Sequence, residues 1–101
     1  MKFEWNEQKN LENIRRHGID FQDVSDIFQY YMLIDLDDRY DYGEERWLGI
    51  GMLRNRLAVI VFTERDNDTI RIISARQANK YERQIYQRAI SDGLGTIRAH
   101  E

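Results

Sequence analysis

Cysteine and proline are both absent from the 101 residues. Without cysteine there is no disulfide framework, no thiolate metal site and no thiol nucleophile. That absence fits a reducing cytoplasm. Without proline, no helix stop or domain boundary is marked by an imino acid. Long apolar runs are missing too. The longest, Leu57 to Phe62, has strand length and falls far short of the ~18 residues that cross a bilayer. The opening Met1-Lys2-Phe3-Glu4-Trp5 lacks the apolar core of a signal peptide. Neither a glycine-rich phosphate loop nor a nucleophile elbow is present, so no cofactor is expected.

What remains is enough for one domain and one core. Hydrophobic residues make up 42% of the chain and aromatics 12%, and a chain of this length forms a single unit. The formal net charge is −3, but it is unevenly spread. Residues 1–34 carry −2, residues 35–45 carry −5 and residues 46–101 carry +4. Asymmetry of this kind says more about partners than the total does. The basic part suits phosphate, and the acidic segment suits a basic protein, although composition alone is explained more simply by an ordinary solvated surface.

Alternation at Phe3 and Trp5 predicts a short strand. Asn6 is a good N-cap for a helix with Leu11 and Ile14 on one face and Gly18 as its stop. Asp20 caps a second helix with an apolar stripe at Phe21, Val24, Ile27 and Phe28, and the two helices form a hairpin. Strands follow at Tyr31 to Leu36, Arg46 to Leu53, Leu57 to Arg65 and Thr69 to Ala75. The last three are joined by turns at Arg54-Asn55-Arg56 and Asp66-Asn67-Asp68. A final helix starts from an Asn79/Glu82 capping box. It aligns Tyr81, Ile85 and Ala89, with Tyr86 and Ile90 beside them, and ends at Gly93 and Gly95. The order β-α-α-β-β-β-β-α predicts an α+β fold with a mainly antiparallel sheet and flanking helices. The domain spans 1–92, and residues 93–101 are a flexible tail.

Several groups are candidates for chemistry. Arg65, Arg71 and Arg76, with Arg46, Arg54 and Arg56, lie at strand ends, where a guanidinium fork can hold a phosphate through two oxygens. Thr63 and Arg65 are two residues apart and share a strand face. Set against this is the plainer reading of arginines that solvate strand ends or pair with Glu64, Asp66 and Asp68, with Glu64 assigned to Arg71. His17 is the side chain suited to proton transfer at neutral pH, unless it only caps its helix. Lys9 is a surface lysine unless it turns inward, and His100 sits in the tail. Asp35, Asp37, Asp38 and Asp41 are a possible magnesium site, although a solvated acidic loop explains them more simply. Trp47, among Tyr30, Tyr31, Tyr40 and Tyr42, suits a core or interface role, with Gly49 and Gly51 leaving room on its side of the strand.

Taken together, several segments resemble the BrnT family of type II toxins. They are Phe3-Glu4-Trp5-Asn6, Lys9, Asn13, Arg16 to Phe21, Val24, Ile27-Phe28, Gly43 to Trp47, Ile50-Gly51, Val61 to Arg65, Arg71 to Arg76, Ala78, and Glu82-Arg83 with Tyr86. The resemblance covers about residues 2–88. The chain departs from the usual pattern at Asn6, at Val24 and in the proline-free stretch after Phe28.

The resemblance implies a RelE-like fold and a metal-independent ribonuclease that cleaves RNA and inhibits translation. It implies neutralisation by a BrnA-like antitoxin with a DNA-binding domain, in a heterotetramer that reaches operator DNA only through the antitoxin. Carried over by position, the catalytic candidates are Lys9, His17, Thr63, Arg65 and Arg76, with Trp47 and Glu45 shaping the site. The alternative is a non-catalytic interaction module that acts with a DNA-binding partner in autoregulation.

Overall fold

The structure is a computed structural model, and it describes residues 1–92. The tail expected over 93–101, with the helix stops Gly93 and Gly95 and with His100, lies outside the described residues.

Five strands form one sheet in the order β1-β5-β4-β3-β2. They are β1 (Lys2–Glu4), β2 (Met32–Leu36), β3 (Trp47–Leu53), β4 (Arg56–Arg65) and β5 (Thr69–Gln77). The last four form an antiparallel meander, as the two tight turns predict for its last three strands. β1 adds to the far edge, parallel to β5. The sequence did not disclose that pairing, since strand alternation carries no information about partners.

Because β1 and β2 occupy opposite edges, the chain between them must cross about 19 Å of sheet at ~4.8 Å per strand spacing. The helices α1 (Glu7–His17) and α2 (Phe21–Val24) and the 3₁₀ turn Ser25–Gln29 make this crossing and cover one face. Asn6 caps α1 through the Lys9 N–H at 3.0 Å. Gly18 ends α1 in the left-handed conformation at φ 69°, which costs glycine nothing. Asp20 caps α2. Ile19, Phe21, Val24 and Ile27 pack onto Ala58, Ile60, Phe62, Ile70, Ile72 and Ala75 of this first face. Each large side chain so buried contributes about 1.5–3 kcal/mol.

The first helix departs from its expected face. Leu11 is 60% and Ile14 36% exposed, while Asn10 and Asn13 are buried. The reason is that α1 docks through amides rather than methyl groups. Asn10 accepts from the Phe21 N–H at 2.8 Å and donates to Asp20 at 3.0 Å. Asn13 donates to the Ile19 carbonyl at 2.9 Å and accepts from the Ala75 N–H at 3.2 Å. Beyond Arg71, where β1 ends, α1 therefore satisfies an edge donor of β5 that a strand would otherwise take.

The second face is covered by α3 (Lys80–Ser91), whose capping box between Asn79 and Glu82 forms as expected. Tyr86 and Ala89 are buried, but Tyr81 and Ile90 are exposed. The buried stripe thus keeps Tyr86 and Ala89 of the expected face and leaves Tyr81 and Ile90 outside it. Tyr86 packs with Ile50, Leu57, Val59 and Ala78.

Gly49 and Gly51 do leave room, and the fold fills it. A Cβ at Gly49 would meet the Met32 sulfur at 2.3 Å, and one at Gly51 would meet Ile27 at 2.5 Å. The β3–β4 turn also differs in detail. Arg54, not Asn55, takes the positive φ of 58°. At the β4–β5 turn Asn67 and Asp68 take φ 64° and 57°, which Asn and Asp tolerate better than most residues.

Candidate active site

β4 is longer than its neighbour β3. Its last three residues, Thr63 to Arg65, pair with β5 alone, since β3 begins at Trp47 opposite Phe62. The chain just before β3 bends across this notch. The result is an open pocket of about 390 Å³ lined by Trp47, Thr63 and Arg65 and by four carboxylate residues, Glu44, Glu45, Glu64 and Asp66. Two of the expected catalytic residues, Thr63 and Arg65, meet here with both of the residues expected to shape the site, Glu45 and Trp47.

Thr63 is buried. Its hydroxyl donates to the Glu45 carbonyl at 2.6 Å. That proton is therefore committed to holding residue 45 against the strand end. Thr63 positions the pocket wall, and only its lone pairs remain for other donors. Trp47 packs partly into the core and forms the apolar side of the pocket. Arg65 stands half exposed, 3.9 Å from the Glu4 carboxylate. Arg71 is the register partner of Thr63 and donates to Glu4 at 2.8 Å. This corrects the expected Glu64–Arg71 pair. Glu64 sits opposite Ile70 and so points to the other face.

Arg76 shares the second face but lies farther along it. It pairs with Val59, four residues from Thr63 on β4, or about 13 Å at ~3.3 Å per residue. Its guanidinium donates twice to Glu82, each at 2.8 Å. The Arg76 hydrogen bonds hold the Glu82 carboxyl below the usual range against the opposing effect of burial, and Arg76 is raised in turn.

His17 and Lys9 are not brought to the pocket. His17 ends α1, beside Gly18, whose carbonyl accepts from Arg56 at 3.4 Å. Arg56 starts β4 and Arg65 ends it, ten residues in all, so the two ends stand about 30 Å apart. Lys9 is exposed on the first turn of α1 and is absent from the pocket's lining.

The acidic loop is folded on itself. The Asp37 side chain is 1% exposed. It accepts from Arg39 Nε at 2.7 Å and Nη2 at 2.9 Å, and from the Tyr42 hydroxyl at 3.2 Å. These bonds, Arg39's first, hold its carboxyl below the ordinary value despite burial. Asp35 caps the Leu36 N–H and Asp41 the Gly43 N–H. Arg46 pairs with Glu44 and lies 4.1 Å over the Tyr42 ring. Among the described residues no three His, Asp or Glu side chains gather as metal ligands. The possible magnesium site at Asp35 to Asp41 is thus not assembled: the carboxylates of Asp35, Asp37 and Asp41 are spent on local backbone, arginine and tyrosine partners. No described helix is long and apolar enough to cross a membrane.

Sequence reasoning missed Glu4 and Arg71 as a pair, because their contact depends on the parallel β1–β5 ladder. It also missed that the Thr63 hydroxyl serves residue 45. The run Val61 to Arg65 was a signal for the pocket's position only.

The comparisons with known proteins agree with this fold. No curated protein sequence matches the chain. Among solved structures, the Brucella abortus ribonuclease toxin BrnT superposes with a TM-score of 0.62 at 26% identity, covering 79% of this chain and 99% of that one. The profile of the ribonuclease toxin BrnT of type II toxin–antitoxin systems matches residues 5–82. That span includes every candidate site residue, and the chain belongs to the BrnT family of ribonuclease toxins.

Proposed function

We propose that this chain is the toxin of a type II toxin–antitoxin pair, a RelE-like endoribonuclease that cuts RNA without a metal ion and so stops translation. The observation that carries this reading is the pocket at the open end of β4, lined by Glu45, Trp47, Thr63 and Arg65.

RNA cleavage needs little covalent help from a protein. The 2′-OH loses its proton and attacks the adjacent phosphorus. The P–O5′ bond breaks, the O5′ takes a proton, and a 2′,3′-cyclic phosphate and a 5′-hydroxyl result. Arg65 neutralises the charge that builds on the phosphate oxygens, an effect worth roughly 10²–10³-fold for one preorganised donor. Glu45 is the carboxylate placed to accept the 2′-OH proton, with residue 45 held by Thr63. Trp47 offers an apolar wall against a base or ribose. Lys9 and His17 carry no step of this scheme, because they stand away from the pocket. Arg76 serves as a more distant contact for RNA on the same face, reached by exchange of Glu82 for phosphate.

Family membership supports the rest of the reading. The chain works in the cytoplasm. A BrnA-like antitoxin with a DNA-binding domain neutralises it in a heterotetramer, and operator DNA is reached only through that antitoxin. The test is expression in bacteria. Growth arrest rescued by co-expression of the neighbouring gene's product supports the reading. Normal growth with folded, abundant protein contradicts it.

A further inference from the structure

The second face of the sheet carries a regular array beyond the reach of α3. Register places Glu4, Arg71 and Thr63 side by side across β1, β5 and β4. The neighbouring row is Lys2, Thr69 and Arg65. Residues two apart on a strand share a face, so all six point the same way. The Glu4–Arg71 ion pair, which joins two members of the first row, fits this assignment. The two rows span about 10 Å across the strands and ~7 Å along them.

The array holds three cations and one anion, with two hydroxyls between them. Asp66 and Asp68 flank it in the turn: Asp66 lines the pocket with Arg65, and Asp68 pairs with the Met1 amino group at 3.1 Å and accepts the Lys2 N–H at its carbonyl, while Glu64 is on the other face. Glu4 is the one carboxylate inside it. It lies 2.8 Å from Arg71 and 3.9 Å from Arg65. An anionic oxygen between two guanidinium groups occupies the place that a phosphate oxygen would take. Half-exposed pairs of this kind are weak, roughly 0–1 kcal/mol, so an incoming phosphodiester can displace the carboxylate.

We propose that this platform of Lys2, Arg65, Thr69 and Arg71 binds the sugar–phosphate backbone of single-stranded RNA beside the scissile phosphate, with Glu4 as the carboxylate it displaces. The inference rests on the ribonuclease reading and adds to it. Arg65 is shared with the pocket, and the other cations and the hydroxyl lie outside it.

The test measures binding of a non-cleavable single-stranded oligonucleotide of about ten residues, 2′-O-methylated throughout, over a range of salt concentrations. Removing one cation that touches a phosphate lowers the slope of log K against log salt by about 0.7. Arg71→Gln and Lys2→Gln are each expected to show this fall, while Arg71→Lys keeps the wild-type slope. Glu4→Gln is expected to tighten binding several-fold. Lys2 is exposed, so Lys2→Gln decides the matter if Arg71→Gln does not fold. A wild-type slope in Lys2→Gln, or in folded Arg71→Gln, overturns the platform. If wild-type protein still cuts RNA in that case, the ribonuclease reading stands. Failure of wild-type protein to cut or bind RNA overturns both.

Discussion

Arg76 and Glu82 form a two-pronged ion pair, with both guanidinium nitrogens 2.8 Å from the carboxylate oxygens. The same carboxylate accepts from the Asn79 N–H at 2.9 Å to close the capping box of α3. Arg76 is therefore tied to the start of α3, while Arg65 stands at the open pocket. The two arginines are expected to differ on replacement. Arg65→Ala lowers RNA cleavage about 10²-fold or more with little change in stability. Arg76→Ala destabilises by about 1–3 kcal/mol and lowers cleavage less, once corrected for the folded fraction. Thermal melts beside single-turnover rates check the ranking, and equal losses in both variants at equal folding contradict it.

The Thr63 hydroxyl gives a second prediction. Thr63→Val keeps the volume and removes the donor to Glu45. Cleavage falls as residue 45 loosens, and stability drops by about 1–2 kcal/mol. Thr63→Ser keeps the donor and retains most of the rate. Rescue by serine separates hydrogen bonding from shape.

Asn13 gives a third. Its amide satisfies the Ile19 carbonyl and the Ala75 N–H in a buried setting. Asn13→Ala leaves both groups unpaired, at a cost of about 2–4 kcal/mol in urea unfolding. Leu11→Ala, on the exposed side of the same helix, changes stability by about 0.5 kcal/mol or less.

Much of the fold was legible in the chain itself. Caps at Asn6, Asp20 and Asn79, the stop at Gly18, apolar runs of strand length and the two tight turns set out the elements in order. Asn10 and Asn13 escaped notice because apolar periodicity treats asparagine as surface, yet here amides dock the helix. Glu4 and Arg71 are 67 residues apart and meet through a parallel pairing that no local pattern announces. Thr63 and Arg65 could be placed on one face by their spacing. The separation of His17 from them depends on β4 running the length of the sheet, which spacing alone does not show.

Acid should loosen both the acidic loop and the start of α3. Asp37 and Glu82 are held below the usual carboxylate values by their arginine partners. Unfolded chains bind those protons more readily, so the stabilisation is full above about pH 5 and is lost as pH falls through and below ~4. Melting temperature is expected to be flat near neutrality and to fall on acidification. Asp37→Asn lowers stability at pH 7 and flattens the acid limb. An acid limb as steep as wild type in that variant contradicts the assignment.

The most direct measurement is cleavage of RNA by purified protein in excess EDTA, wild type beside Arg65→Ala. The pocket at the end of β4 predicts undiminished cutting by the wild type and a loss of about 10²-fold or more in the variant. Complete inhibition by EDTA, or full activity in Arg65→Ala, would contradict it.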